Sequence, residues 1–121
     1  MSADQQFLAI YLGSSSGASM AAWNALSEAD RLARQQQGMA AWHGWMQTHA
    51  DDVVVAGGPL GKTKRVSGAG VDDVSNPLSG YVVVRAASHE AAAKLFEDHP
   101  HFAIFPGEAV EVMPVMAIPG M

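Results

Sequence analysis

Six residues near the start of the chain, Phe7-Leu-Ala-Ile-Tyr-Leu12, constrain the fold more than any other stretch. The run is short, apolar throughout, and closed by Gly13-Ser-Ser-Ser-Gly17, so it reads as a strand followed by a flexible loop. Successive side chains of a strand point to opposite faces. A strand that is apolar on both sets of positions has to be covered on both sides, whereas a half-solvated sheet alternates apolar and polar. Val53-Val-Val-Ala56 repeats the pattern.

The remaining elements fall between these strands. Ser19 to Leu26 reads as a helical turn or two. Ser27-Glu-Ala-Asp30 resembles a capping box, and a helix is expected from there to about Ala50. Leu32, Met39, Trp42, His43 and Met46 share one face at helical spacing, with Gln35 and Gln36 interrupting it and Gly38 weakening the helix. Gly57-Gly-Pro-Leu-Gly61 punctuates the second strand. Lys62 to Val66 forms a small extra strand or hairpin arm, and Ser67 to Ser79 reads as the longest loop. Gly80-Tyr-Val-Val-Val-Arg85 is a third strand. Ser88 caps a second helix, from His89 to about Asp98, with Ala92, Leu95 and Phe96 inward. Pro100 stops that helix, because a residue preceding proline is pushed out of helical geometry. A turn at Pro106-Gly107 leads into a last strand, Ala109 to Val115.

Strand, helix, two strands, helix, strand is the ferredoxin-like βαββαβ order of the α+β class, an antiparallel sheet with two helices on one face. Two helices cover one face only. A second copy of the same sheet is the simplest cover for the other, so a homodimer packed through the open sheet face is expected.

Bulk properties exclude several functions. The 121 residues suit one domain, and 49% apolar with 16% charged residues can fill a core. A net charge of -5 with pI near 5.3 provides no basic face for nucleic acid or an anionic membrane. With no cysteine, disulfides, thiolate nucleophiles and cysteine metal sites are excluded. Met-Ser-Ala-Asp-Gln-Gln shows no signal-peptide pattern, and no apolar run approaches the roughly 20 residues that span a bilayer. The expectation is a cytoplasmic protein. Gly57-Gly-Pro-Leu-Gly61 lacks the length and the Lys-Ser/Thr ending of a phosphate loop, which removes nucleotide binding on that basis.

The chemistry-bearing residues gather between Asp98 and Val115. His99 and His101 flank Pro100 at a helix-to-strand junction, where imidazoles suit general acid–base work near neutral pH. They could also ligate a metal, though a His-x-His pair does not specify one, or simply favour the end of the preceding helix. His43 is either a neutral, hydrogen-bonded core residue or a pocket base whose pKa burial lowers. Trp23, Trp42 and Trp45 supply core and dimer packing, or an aromatic wall for a flat ligand. Lys62, Lys64 and Arg65 either grip a substrate carboxylate or phosphate or solvate a strand edge. Glu111 breaks an apolar face, so it meets water, a pocket or a partner. The candidate catalytic set is His99, His101 and His43. The candidate substrate-binding set is Trp42, Tyr81, Lys62 and Arg65. No cofactor or metal is expected.

Taken together, Phe7-Leu-Ala-Ile-Tyr-Leu-Gly13, Met39-Ala-Ala-Trp-His-Gly-Trp-Met46, Gly57-Gly-Pro-Leu60, Gly80-Tyr-Val-Val-Val84, Ser88-His-Glu-Ala-Ala92 and Val110-Glu-Val-Met-Pro114 resemble the YCII-related (DGPF) family of dimeric α+β barrels. The resemblance runs over nearly the whole chain and implies a single YCII-like domain over 1–121. It implies a small pocket holding a catalytic dyad: a histidine from the first helix and an aspartate in an Asp-Pro pair after the second. Some relatives are linked to dehalogenation of aromatic breakdown products, and neighbouring dimeric barrels include lactone isomerases. Pro100 matches the proline of that pair, His99 stands where the aspartate is expected, Asp98 lies one residue earlier, and His43 corresponds to the helix histidine. A His43–His99 pair, or Asp98 or Glu108 orienting a histidine, is the local substitute. The expected function is a small cofactor-independent enzyme. It would act on a small organic acid or aromatic catabolite by histidine acid–base chemistry, as an isomerase, lyase or dehalogenase. The alternatives are a non-catalytic ligand-binding or regulatory module, or a structural dimer, because fold does not fix function.

Overall fold

The computed structural model describes residues 5–120. Met1–Asp4, part of the segment in which no export signal is read, lie outside the described residues. The elements are β1 (Gln5–Leu12), α1 (Ala18–Asn24), α2 (Glu28–Thr48), β2 (Val53–Pro59), β3 (Thr63–Ser67), β4 (Gly70–Val74), β5 (Leu78–Ala86), α3 (His89–Lys94), α4 (Pro100–Ala103) and β6 (Ala109–Pro114). Among the described residues, no helix is long and apolar enough to cross a membrane.

The main sheet has the order β2-β5-β1-β6 with every neighbour antiparallel, which is the ferredoxin-like arrangement. The doubly apolar run is its central strand: β1 pairs with β5 on one side and β6 on the other. Phe7, Ala9 and Tyr11 of β1 and Val82, Val84 and Ala86 of β5 are buried beneath Trp45, Ala92 and Phe96. Each large apolar side chain sealed there contributes about 1.5–3 kcal/mol. The intervening positions build the opposite face. Leu8 lies between Val83 and Met113, and Ile10 between Tyr81 and Glu111. Val55 lies opposite Val83. Around Leu8 and Ile10 this face is apolar apart from Glu111, with Gln6 and Arg85 paired at its end, and among the described residues no helix covers it. Val55 and Met113 are 46% and 41% exposed.

Helix α2 starts where the sequence predicts, with Ser27 Oγ accepting from the Asp30 amide at 3.1 Å. Its inward face keeps Trp42 and Met46 of the expected stripe, which pack against the core, and adds Trp45. Gly38, Trp42, Trp45 and His49 follow the inner line, while Leu32, Met39 and His43 are exposed. A Cβ at Gly38 would lie 2.5 Å from Phe105 Cε2, so the residue read as a weak point is the notch that admits this ring.

Two further expectations change. The loop expected over Ser67 to Ser79 is partly strand, because Gly70–Val74 folds back on Thr63–Ser67 as a separate two-stranded arm. Gly68-Ala69 makes the turn, and Lys64 and Arg65 fall opposite Asp73 and Asp72. The second long helix ends at Lys94 instead of Asp98. Leu95, Phe96 and Glu97 donate to Ala92, Ala93 and Lys94, winding the chain more tightly. Asp98 then takes a left-handed φ of 56°, a conformation that aspartate tolerates better than most residues.

Candidate functional site

The reversal at Asp98 drops His99 into the interior, where it is fully buried. His99 caps the one-turn helix α4, its Nδ1 accepting the His101 amide N–H at 3.0 Å, and Pro100 supplies the pre-set first helical position. The cap fixes the tautomer. An amide always donates, so Nδ1 of His99 carries no proton and the ring hydrogen of the neutral form sits on Nε2. Nε2 lies 3.5 Å from the Tyr11 hydroxyl oxygen and donates toward it. The phenolic hydrogen of Tyr11 is then free to point elsewhere.

The His101 ring turns back to β1, and its Nε2 lies 2.7 Å from the Leu12 carbonyl oxygen. A carbonyl only accepts, so this nitrogen bears the hydrogen and Nδ1 of the neutral ring presents a lone pair. The same carbonyl accepts the Glu108 amide at 2.9 Å, using both lone pairs. Gly107 lies against the Cε1–Nε2 edge of the ring. A Cβ there would come within 2.4 Å of His101 Cε1, Nε2 and carbonyl oxygen, so only glycine fits. Among the described residues every buried side-chain nitrogen or oxygen has a hydrogen-bond partner. The only bond of the His101 ring is through Nε2, so Nδ1 is reachable from outside the protein core.

His101 forms part of the wall of a cavity of about 380 Å³ between α2 and the β2–β5 end of the sheet. Tyr11, Trp42 and Phe105 supply the aromatic wall, His43 and Met39 come from α2, and Gly58, Ser79 and Tyr81 come from the strands. Gly57 shapes the strand side: it takes φ +65° and passes so close to the Tyr81 carbonyl that no side chain fits. The aromatic rings are in mutual contact. Tyr11 lies 4.9 Å from Trp42, 5.1 Å from His99 and 5.2 Å from His101 between ring centroids, and Trp42 lies 4.6 Å from His99.

Burial sets the charge states. It lowers the His99 pKa from 6.5 to about 4, helped by His101 and His49 nearby. Burial also lowers that of His101, opposed by its bond to the Leu12 carbonyl. The Tyr11 phenol is pushed upward by burial and stays protonated. No lysine, arginine, aspartate or glutamate lines the cavity. The polar residues of the wall are Tyr11, His43, Ser79, Tyr81 and His101, set among mainly apolar neighbours.

The sequence-derived candidates divide on this geometry. His101, His43, Trp42 and Tyr81 line the cavity, with His43 at its exposed rim. His99 stands behind the wall, packed on Tyr11, Trp42 and Trp45. Lys62 lies in a separate open groove of about 830 Å³ beside the β3–β4 arm, with Lys64, Asp73 and Asn76. Arg65, on the exposed arm opposite Asp72, lines neither space. Asp98 and Glu108 are exposed, and among the described residues neither bonds to a histidine. No group of three or more His, Asp or Glu side chains suited to a metal ion occurs among the described residues. Sequence reasoning missed Tyr11, Phe105 and Ser79. The available signal for Tyr11 was its position as the one hydroxyl-bearing residue on the inward parity of β1.

The fold is thus ferredoxin-like α+β, with a small aromatic cavity beside the His99-Pro100-His101 turn. No protein-family model and no curated protein matches the chain. Among solved structures it is similar to the 5-chloro-2-hydroxyhydroquinone dehydrochlorinase of Burkholderia phenoliruptrix AC1100, in complex with 2,5-dihydroxybenzoquinone. The identity is 19%, the TM-score 0.49, and the match covers 88% of this chain and 89% of that one.

Proposed function

We propose that this chain is a YCII-like, cofactor-independent enzyme of the cytoplasm that moves a proton on a small organic acid or aromatic catabolite. One observation carries the reading: Nε2–H of His101 is tied to the Leu12 carbonyl, so a neutral imidazole offers its Nδ1 lone pair at the wall of a ligand-sized cavity. His101 is the base. His43, at the rim, exchanges the proton with solvent, and Trp42 holds the flat face of the ligand; Tyr81 borders the cavity from β5, while its register beside Ile10 gives its side chain to the open sheet face. His99 acts from behind the wall through its contacts. Lys62 and Arg65 enter this reading only through assembly, since in one chain neither lines the cavity.

The test is hydrogen–deuterium exchange. A panel of small aromatic and oxo compounds is incubated with the protein in D₂O and followed by proton NMR. The reading expects accelerated exchange at one carbon of at least one compound, and its loss in His101→Gln. Exchange that persists in folded His101→Gln, or saturable binding with no exchange in any compound, overturns it. The second result favours a ligand-binding module.

We infer in addition a homodimer through the open sheet face. Leu8, Ile10, Tyr81, Val83, Val55 and Met113 support it, since among the described residues no element covers them. Placing a carboxylate there by Ile10→Asp is expected to shift the mass in light scattering from dimer to monomer. A wild-type monomer at micromolar concentration sinks the inference.

A further inference from the structure

The β3–β4 arm stands apart from the main sheet, its two strands pairing only with each other. Thr63 and Val74, the rung beside the sheet, are partly buried, and every residue from Lys64 to Asp73 is exposed. A lone two-stranded hairpin is marginal in water and needs packing against something else. One face of the arm offers a surface for it: Val66 lies opposite Val71, both are exposed, and they share that face with Lys64 and Asp73. A second uncovered apolar segment follows β6. The Val115 amide continues the ladder to the Gln6 carbonyl at 2.9 Å, and beyond it Met116 and Ile118 are exposed. From Val112 to Gly120 no side chain is ionisable.

The topology sets these two features at opposite corners of the sheet. β5 and β6 both run antiparallel to β1, so they run parallel to each other. The arm enters β5 at its start, beside edge strand β2, and the tail leaves edge strand β6 at its end. Roughly 17 Å of β1, from Leu12 to Phe7, separates the two exits. Two sheets packed face to face with crossed strands are related by a two-fold axis along a sheet diagonal. The axis through the two bare corners lays the arm of each copy on the tail of the other. The axis along the other diagonal lays arm on arm, which presses two Lys64–Asp73 pairs together and strips their water. The tail receives the valine rung without desolvating a charge.

We propose that the β3–β4 arm is a clasp, in which the Val66–Val71 rung of each protomer packs on Val115, Met116 and Ile118 of a second copy of the chain. This rests on the open sheet face as the dimer interface and names the elements that fix the angle at which the two sheets cross. Lys64 and Asp73 stay at the rim of the contact, in water. The Leu60 amide donates to the Ser79 carbonyl at 3.0 Å where the arm joins the sheet, and Pro59 and Ser79 also line the cavity. The clasp therefore braces that wall of the cavity in the assembled protein.

The chain has no cysteine, so a pair of introduced thiols reports this contact alone. The full chain carrying Val71→Cys and Ile118→Cys is treated with a short bis-maleimide, whose spacer relaxes the geometry a disulfide demands, and run on a denaturing gel. A covalent dimer is expected from the double variant, and from a refolded mixture of the two single variants, while each single variant alone stays at the mass of one chain. In parallel, Val66→Asp is expected to raise the dimer dissociation constant by ~10-fold or more, read by light scattering against concentration, with thermal melts showing that the chain is folded. A link confined within one chain, or a covalent dimer from Val71→Cys alone, overturns the tail as the occupant. A wild-type dimer that gives no link, and whose dissociation constant is unmoved by Val66→Asp, overturns the clasp while the sheet-face reading stands. A wild-type monomer in the same light scattering removes both.

Discussion

The His99-Pro100-His101 turn and the β3–β4 arm each gather ionisable side chains, and they end in opposite environments. In the turn, both imidazoles are buried and each nitrogen bond has a partner that fixes its direction. On the arm, Lys64 reaches Asp73 at 2.6 Å, yet these side chains are 70% and 84% exposed. Val66 and Val71, paired across the same arm, are 77% and 64% exposed. Water screens the second pair and leaves it interchangeable. Desolvation makes the first group specific, because an unmade bond there has no solvent to replace it. A short contact distance therefore says little about function until burial is known.

That contrast can be broken by substitution, and Gly107 offers the largest expected effect. Gly107→Ala puts a Cβ into the His101 ring and main chain, so His101 has to leave the Leu12 carbonyl. A stability loss of about 3 kcal/mol or more by urea unfolding is expected, with loss of any proton-transfer activity. His99→Phe keeps a flat ring, somewhat larger than imidazole, but leaves the His101 amide and the Tyr11 oxygen without their partners. It should destabilise by about 2–4 kcal/mol on the same measurement, and a change within error would remove the role given to this residue.

Acid sharpens the comparison without mutation. His99 titrates near 6.5 in the unfolded chain and near 4 in the fold. Between these values the unfolded state binds more protons, so stability is fully present above about pH 6.5 and falls as pH drops toward 4. The full effect is on the order of 3 kcal/mol. Unfolding midpoints measured across that window should fall in the wild type and fall less in His99→Phe. At the small end, Lys64→Ala on the arm should change stability by about 0.5 kcal/mol or less. A larger loss would mean that this pair is covered as well in the working assembly, and the loss would then depend on protein concentration.

Much of the fold was legible in the sequence. The strand order followed from the apolar runs, and the Ser27 and Ser88 caps marked two helix starts correctly, their hydroxyls accepting from Asp30 and Ala91. The arm was half legible: Lys64-Arg65 and Asp72-Asp73 mirror each other around Ser67-Gly68-Ala69-Gly70, a hairpin signal read instead as loop composition. The site was less legible. His101, His43, Trp42 and Tyr81 were named and lie at one cavity, but Tyr11 was counted as strand filling. On α2, Trp42 and Met46 were rightly placed inward and Leu32, Met39 and His43 were not; Gly38 was scored as a weakness, whereas the Phe105 ring fills the space a side chain would need.

By itself the sequence determined what depends on neighbours in the chain: alternation, capping, and the doubly apolar run that became the central strand. The tertiary structure alone decided which nitrogen of His101 carries a hydrogen, what the His99 ring meets, and which histidine meets the cavity. The His99 tautomer follows from its local cap on the His101 amide, whereas the Tyr11 hydroxyl and the Leu12 carbonyl lie 88 and 89 positions away from His99 and His101 along the chain. Folding brings them within hydrogen-bond reach and removes the water that would otherwise let either nitrogen serve.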